Sequence, residues 1–192
     1  MKEVRAVVFD CFGVLYPVAI DIFFEKHKEC FGNNNTYLEE LNNQVDLDII
    51  NNTQFYKKIA EKTGLAEEEI RKEIEGVLRV DRRLIELIKK LKKHYKIGLL
   101  SNAGTEEIEI IHKDHIASLF DSITISSRVG SVKPFPEIFN ACLSDLNETA
   151  AHCLFIDDTE RNLTGAKAVG LQTLHYPSFG HIPAELDLLL SS

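Results

Sequence analysis

Short apolar runs recur along this chain, and four of them end on a polar residue. Val7-Val8-Phe9 stops at Asp10, Ile97-Gly98-Leu99-Leu100 at Ser101-Asn102, and Leu154-Phe155-Ile156 at Asp157-Asp158; Val132 is followed by Lys133 and Pro134. From Asp81 onwards these strand-like runs alternate with helical periodicity. Asp81 suits the N-cap of a helix to about position 94, with Leu84, Leu87, Ile88 and Leu91 on one apolar face. A strand follows at 96–100, a helix at 105–113 and a strand at 122–125. Pro134 and Pro136 open a helix carrying Ile138, Phe139, Cys142 and Leu143, consistent with proline's tolerance in a first turn. A strand at 152–156, a helix at 161–169 stopped by Gly170, and a strand at 171–175 complete the series. The leucines after Pro183 (Leu186, Leu188, Leu189 and Leu190) predict a closing helix on the sheet.

Residues 16–80 break this rhythm. They read as wholly helical, at 19–31, 37–43, 54–63 and 66–78, punctuated by asparagine groups at 33–35, 42–43 and 51–52 and by Gly64. So long an insertion after the first strand far exceeds an ordinary loop, and predicts a helical cap over the strand ends. The expected fold is therefore α/β: a Rossmann-like, doubly wound parallel sheet with an inserted all-helical cap domain. Its core domain takes residues 1–15 and 81–192, and its cap domain residues 16–80. In such a sheet the carboxyl ends of the strands converge on one crevice, where ligands bind.

Composition narrows the function more than the fold. With 192 residues, 44% hydrophobic and 27% charged, the chain suits one globular core plus an insertion. A formal net charge of −8 argues against nucleic acid as a partner, since no excess of Lys and Arg exists to neutralise phosphates. Lys89-Lys90 and Lys92-Lys93 read as the solvated face of a helix. Met1-Lys2-Glu3-Val4-Arg5 leads into a strand with no signal-peptide core, and no apolar run reaches the ~18 residues of a membrane helix. Cys11, Cys30, Cys142 and Cys153 show no metal-binding spacing and read as reduced thiols. These features predict a cytoplasmic protein without a membrane partner, acting as a monomer or dimer. His112 and His115 read as a solvated helix end rather than a metal pair.

The residues at the strand ends carry chemistry. A carboxylate at Asp10 can attack phosphorus and form a covalent aspartyl-phosphate. Gly13, in the turn that follows, suits a close approach of backbone to a ligand. Asp158 and Asp10 can together hold Mg²⁺, a hard cation that takes carboxylates, water and substrate oxygens, with Asp157 as an additional or supporting carboxylate. Lys133 would neutralise Asp10 and the transferring phosphoryl group. Ser101 and Asn102, between a strand and a helix, suit a phosphate oxygen.

In order and spacing these segments resemble the four motifs of the haloacid dehalogenase superfamily. Val8-Phe9-Asp10-Cys11-Phe12-Gly13-Val14-Leu15 looks like the first and Leu99-Leu100-Ser101-Asn102 like the second. The stretch from Val132 through Lys133-Pro134 to Phe139 resembles the third, and Phe155-Ile156-Asp157-Asp158-Thr159-Glu160-Arg161-Asn162 the fourth. The resemblance implies Asp10 as nucleophile, Lys133 as charge anchor, and Ser101, with Asn102 beside it, as the phosphate contact. It also implies a Mg²⁺ site from Asp10, Asp158, Asp157 and the backbone carbonyl of Phe12. The expected reaction is Mg²⁺-dependent phosphoryl transfer from a small phosphorylated metabolite through an aspartyl-phosphate at Asp10.

Phe12 is the departure. Phosphatases of the superfamily carry Asp there, to protonate the leaving oxygen and then activate water. General acid–base catalysis is worth ~10²–10⁴-fold, so its loss raises the barrier by roughly 3–5 kcal/mol. No acidic residue stands close by in sequence, the nearest being Asp21 in the cap. Phe12 would instead pack beneath the cap and narrow the substrate pocket or belong to the core, the pocket being favoured because Asp10, two residues earlier, points there. Two alternatives follow: a non-catalytic or regulatory member that binds a phosphorylated ligand or a protein, and a metal-independent 2-haloacid dehalogenase, whose relatives carry an aromatic residue at this position but lack the paired aspartates.

Overall fold

A computed structural model describes residues 3–32 and 35–189. After the first strand, β1 (Ala6–Phe9), the chain enters four consecutive helices: α1 (Ala19–Phe31), α2 (Thr36–Asp46), α3 (Asn52–Thr63) and α4 (Glu67–Gly76). It then alternates α5 (Arg82–Leu91), β2 (Lys96–Ser101), α6 (Thr105–Ile108), α7 (Ile110–Lys113), β3 (Ser122–Ile125), α8 (Ser126–Val129), α9 (Pro136–Leu146), β4 (Cys153–Asp157), α10 (Glu160–Val169), β5 (Gln172–His175) and α11 (Glu185–Leu188).

The five strands form one parallel sheet in the order β3-β2-β1-β4-β5, so the fold is Rossmann-like α/β. β1 lies at its centre, which explains why Ala6, Val7, Val8 and Phe9 are all fully buried. Successive side chains of a strand point to opposite faces. Val7 and Phe9 accordingly join Leu84, Ile88, Ile97 and Leu99 in one cluster, while Ala6 and Val8 join Ile138, Phe139, Phe155 and Leu163 in another. Helices thus cover both faces, as the alternating pattern predicts.

The Asp81 side chain caps α5, accepting from the amides of Arg83 at 2.9 Å and Leu84 at 3.4 Å. That helix ends at Leu91, short of the expected 94. The helix expected over 105–113 is broken at Glu109, where the His112 amide bonds back to the Glu109 carbonyl and tightens the turn. In the tail, Leu186 and Leu189 pack on the first cluster; Leu190 lies outside the described residues, as do Asn33 and Asn34.

Helices α1–α4 bury a cluster of their own, with Phe23, Leu38, Leu41, Phe55, Ile59 and Ile70 at its centre. A reciprocal cap starts α3: Asn51 Oδ1 accepts from the Gln54 amide at 2.9 Å, and Gln54 Oε1 from the Asn51 amide at 3.0 Å. Asn42-Asn43, expected to interrupt the helices, instead lies inside α2. Leu38, Leu41 and Val45 occupy one buried stripe, and Asn42 donates to Asp46 four residues on at 3.3 Å. Burial of that stripe outweighs the weak helix propensity of asparagine. Where the four-helix excursion leaves and rejoins the sheet, the Asp81 amide bonds the Leu15 carbonyl at 2.9 Å. The helices therefore stand over the carboxyl end of β1.

Candidate active site

Asp10 follows the last residue of β1 and keeps the ladder, its amide bonding the Ile156 carbonyl at 2.9 Å. The turn beyond it folds back tightly: the amides of Leu15 and Tyr16 both bond the Cys11 carbonyl, and that of Gly13 bonds the Tyr16 carbonyl at 2.6 Å. Gly13 has φ +96°, and a Cβ there would land on the Asp158 carboxylate. A glycine is needed for both reasons. The same close packing recurs where α10 meets the Lys133-Pro134 segment, since a Cβ at Gly165 would strike the Pro134 carbonyl.

The Lys133 ammonium is 2.7 Å from Asp10 Oδ1 and 2.7 Å from Asp157 Oδ2, with its side chain only 2% exposed. Asn102 clamps the lysine's main chain, accepting from its amide at 2.7 Å and donating to its carbonyl at 3.2 Å. The Asn102 side chain is thereby engaged in positioning Lys133. Asp157, fully buried, also accepts from the Thr159 amide at 2.8 Å and from Asn162 Nδ2 at 3.1 Å on each oxygen. Asp158 is less engaged: its carboxylate takes a 3.4 Å contact from the Thr159 hydroxyl. Ser101 is 1% exposed, its hydroxyl meeting the Asn102 carbonyl at 3.3 Å.

Burial drives Asp10 well above the ordinary carboxylate range; Asp157 and Asp158 add to the rise, while Lys133 opposes it. Burial would raise Asp157 as well, but Lys133 and the Thr159 amide outweigh it and hold that carboxyl low. Asp158 is raised by burial and by Asp157. Lys133 stays protonated because its two carboxylates overcome its burial. Asp10, Asp157 and Asp158 each place a carboxylate oxygen within 4.8 Å of the others. Three carboxylates against one ammonium leave negative charge uncompensated, and an all-oxygen donor set suits a hard divalent cation such as Mg²⁺. The residues fit that ion.

These groups open on a cavity of about 640 Å³ between the sheet and the helices. Its floor carries Asp10, Phe12, Ser101, Asn102, Lys133 and Asp158; Asp157 lies behind them. Phe12 is partly buried, its ring 6.2 Å from that of Tyr16, and faces the cavity. Asp21 reaches the wall but is exposed. Besides Asp21, the acidic residues Glu39, Glu75 and Glu106, all exposed, line the wall, as do two less exposed ones, Asp46 at the end of α2 and Glu107 in α6, which lie far from Phe12 in sequence. No linear signal marks either, because tertiary packing alone brings them there. Asn162 could have been read from its place one turn into α10, where it faces back to the strand end. His112 and His115 are exposed, and Cys11, whose thiol burial and Asp10 push upward, is a poor nucleophile. Among the described residues no helix is long and apolar enough to cross a membrane.

The family profile of haloacid dehalogenase-like hydrolases matches residues 4–170. A sesquiterpene phosphatase of Aspergillus oryzae is 27% identical over 179 residues, covering 89% of each chain. A phosphorylated carbohydrates phosphatase of Thermotoga maritima is 25% identical over 190 residues, covering 89% of this chain and 84% of its own. Among solved structures, an HAD family enzyme of Bacteroides thetaiotaomicron, the wild-type protein in complex with magnesium and inorganic phosphate, superposes with a TM-score of 0.75 at 23% identity, over 96% of this chain and 99% of its own.

Proposed function

The chain belongs to the haloacid dehalogenase-like hydrolases, and from that premise we propose that it is a Mg²⁺-dependent phosphatase of small phosphorylated metabolites. The observation that carries this reading is Lys133 held at 2.7 Å by both Asp10 and Asp157, with Asp158 alongside. An Asp10 oxygen attacks phosphorus; the bond from phosphorus to the leaving oxygen breaks, and that oxygen keeps the electron pair and takes a proton. Water then attacks the aspartyl-phosphate, releasing phosphate and restoring the carboxylate. Lys133 holds Asp10 in place and offsets charge on the phosphoryl oxygens, and the Ser101 hydroxyl and the backbone around Asn102 receive another oxygen. Asp10, Asp158 and the Phe12 carbonyl would hold the metal, with Asp157 orienting Lys133 behind them. When bound, Mg²⁺ supplies positive charge to the carboxylates and the phosphoryl group. Phe12 shapes the floor under the leaving group.

In this reading residues 16–80 are a cap domain on a core of 1–15 and 81–192, and the protein acts in the cytoplasm as a monomer or dimer. The free cysteines fit that compartment. The phosphatase names of the two relatives support the reaction class. The decisive experiment is phosphate release from p-nitrophenyl phosphate, with and without Mg²⁺, by wild type and Asp10→Asn. Mg²⁺-dependent turnover that falls about 10⁴-fold or more in the variant is expected; no release by wild type with Mg²⁺ sinks the proposal. Phe12 favours one second reading, a regulatory member that binds phosphorylated ligands, which would show tight binding with negligible turnover. The three clustered carboxylates weigh against a metal-free dehalogenase, because their repulsion would serve no purpose there.

A further inference from the structure

Under the phosphatase reading, the weak point of the site is the proton that the leaving oxygen needs. We propose that the carboxyl of Asp46 delivers it, from the helical side of the cavity, in place of the acid that Phe12 cannot be.

Displacement at phosphorus runs in line, with attacking and leaving oxygens on opposite sides. Asp10 attacks from the floor, so the leaving oxygen faces the helices. Asp46 is the carboxyl buried on that side: it is 3% exposed and lines the same cavity as Asp10, Ser101 and Lys133. Among the described residues its Oδ1 is buried without a hydrogen-bond partner, and its Oδ2 accepts from Asn42, at 3.3 Å. A buried carboxyl oxygen is seldom left unpaired, and this one belongs to a residue that lines the cavity, where a bound ligand can supply its partner. Asp21, Glu39, Glu75 and Glu106 share the wall but are exposed, and the partly buried Glu107 already accepts from the Gly104 amide, at 3.0 Å.

Its position is fixed against the catalytic loop. The Ser126 hydroxyl donates to the Asp46 carbonyl at 2.5 Å and accepts from the Ala103 amide at 2.9 Å, two residues beyond Ser101. Asp48 accepts from the Thr105 amide at 3.0 Å and from its hydroxyl at 2.7 Å. A Cβ at Gly104 would come within 2.7 Å of the Val45 carbonyl, so a glycine there lets the end of α2 settle on this loop. The charged groups that bear on Asp46 are Glu107 of α6 and Lys133. Burial, then Glu107, push its pKa well up, against the pull of Lys133, so the carboxyl is poised to carry a proton. It gives that proton to the departing oxygen as the phosphorus–oxygen bond breaks. The water that then attacks the aspartyl-phosphate gives up its proton to solvent, and Asp46 takes a proton back from solvent before the next turnover.

The test compares two substrate types in wild type and in the near-isosteric Asp46→Asn. The phenolate of p-nitrophenyl phosphate leaves without a proton; the alkoxide of a primary alkyl phosphate, tested as a panel that includes glycerol phosphate, does not. Alkyl phosphate turnover should fall by about 10²–10⁴-fold in Asp46→Asn, with loss of the alkaline limb of its pH profile. Turnover of p-nitrophenyl phosphate should be nearly unchanged, which also reports that the variant is folded. An equal loss on both substrates would mean a structural role and overturns the assignment. So does no loss on either, or a wild type that hydrolyses p-nitrophenyl phosphate but none of the alkyl panel, since it would then have no working donor. A wild type that releases phosphate from neither overturns the phosphatase reading itself, and this inference with it.

Discussion

The floor and the roof of the cavity are built on different principles. On the floor, Asp10 and Asp157 share Lys133, Asn102 clamps the lysine's backbone, and Thr159 and Asn162 fill the remaining sites on Asp157. The roof, from α1–α4, has its own apolar cluster and a wall carrying the Oδ1 atoms of Asn35 and Asp46, buried and without a partner among the described residues. A floor satisfied by its own partners is organised before any ligand arrives, which is what charge stabilisation in a transition state requires. Unpaired groups on a roof find their partners in the ligand. Attack at phosphorus and charge stabilisation should therefore follow the floor, and substrate discrimination and the leaving-group proton the roof.

Removing the cation is the harshest way to break that contrast. Lys133→Met strands two buried carboxylates and should cost about 3–5 kcal/mol of stability in metal-free buffer, read by urea unfolding, and abolish turnover. Unchanged stability would show that the ion cluster does not brace the floor. A matched pair sharpens the contrast further. Ile59, in the roof cluster, and Ile88, beneath the sheet, are both 0% exposed. Replacing either with alanine should lower stability by about 2–5 kcal/mol, but only Ile59→Ala should raise KM in steady-state assays.

Between floor and roof stands Glu107, whose pKa burial lifts from 4.5 to about 7 despite the hydrogen bond from the Gly104 amide. The folded state then binds more protons than the unfolded state between those values, so stability falls as pH rises from about 4.5 to 7. The loss should amount to roughly 3 kcal/mol, seen in denaturation midpoints at pH 5 and pH 8 and reduced in Glu107→Gln. The gentlest test compares two tyrosines. Tyr16→Phe removes a 2.6 Å bond to Asp114 under the floor and should cost about 1.5–3 kcal/mol; Tyr56→Phe removes a 3.3 Å bond to Glu75 in the roof and should cost about 1 kcal/mol or less. Equal losses in thermal unfolding would remove the distinction between a braced floor and a looser roof.

The sheet was legible because buried parallel strands read as near-continuous apolar runs, as Val7-Val8-Phe9 and Leu154-Phe155-Ile156 do. Their ends mark the residues that meet: strand direction carries Asp10, Ser101 and Asp157-Asp158 to one edge, and Lys133 arrives there in the segment between α8 and α9. Helices were harder to bound. The Asn42-Asn43 pair has a local bias against helix, yet burial of Leu38, Leu41 and Val45 carries α2 through it to Asp46. That extension is also why Asp46 escaped notice. A carboxyl at position 46 reaches the wall only because α2 runs on and docks on the loop after Ser101 through Ser126 and Thr105.

The amino-acid sequence by itself determined the strand–helix alternation, the helical insertion and the polar residues that terminate the strands, since each is written in local hydrophobic period and turn chemistry. Tertiary structure alone decided that Asn102 holds the backbone of Lys133, that Gly13 yields its space to Asp158, and that Asp46 and Glu107 line one cavity with Phe12. Each of those joins residues tens of positions apart or more. Only the packing of the helices over the sheet brings such groups within reach of one another, and no local pattern records it.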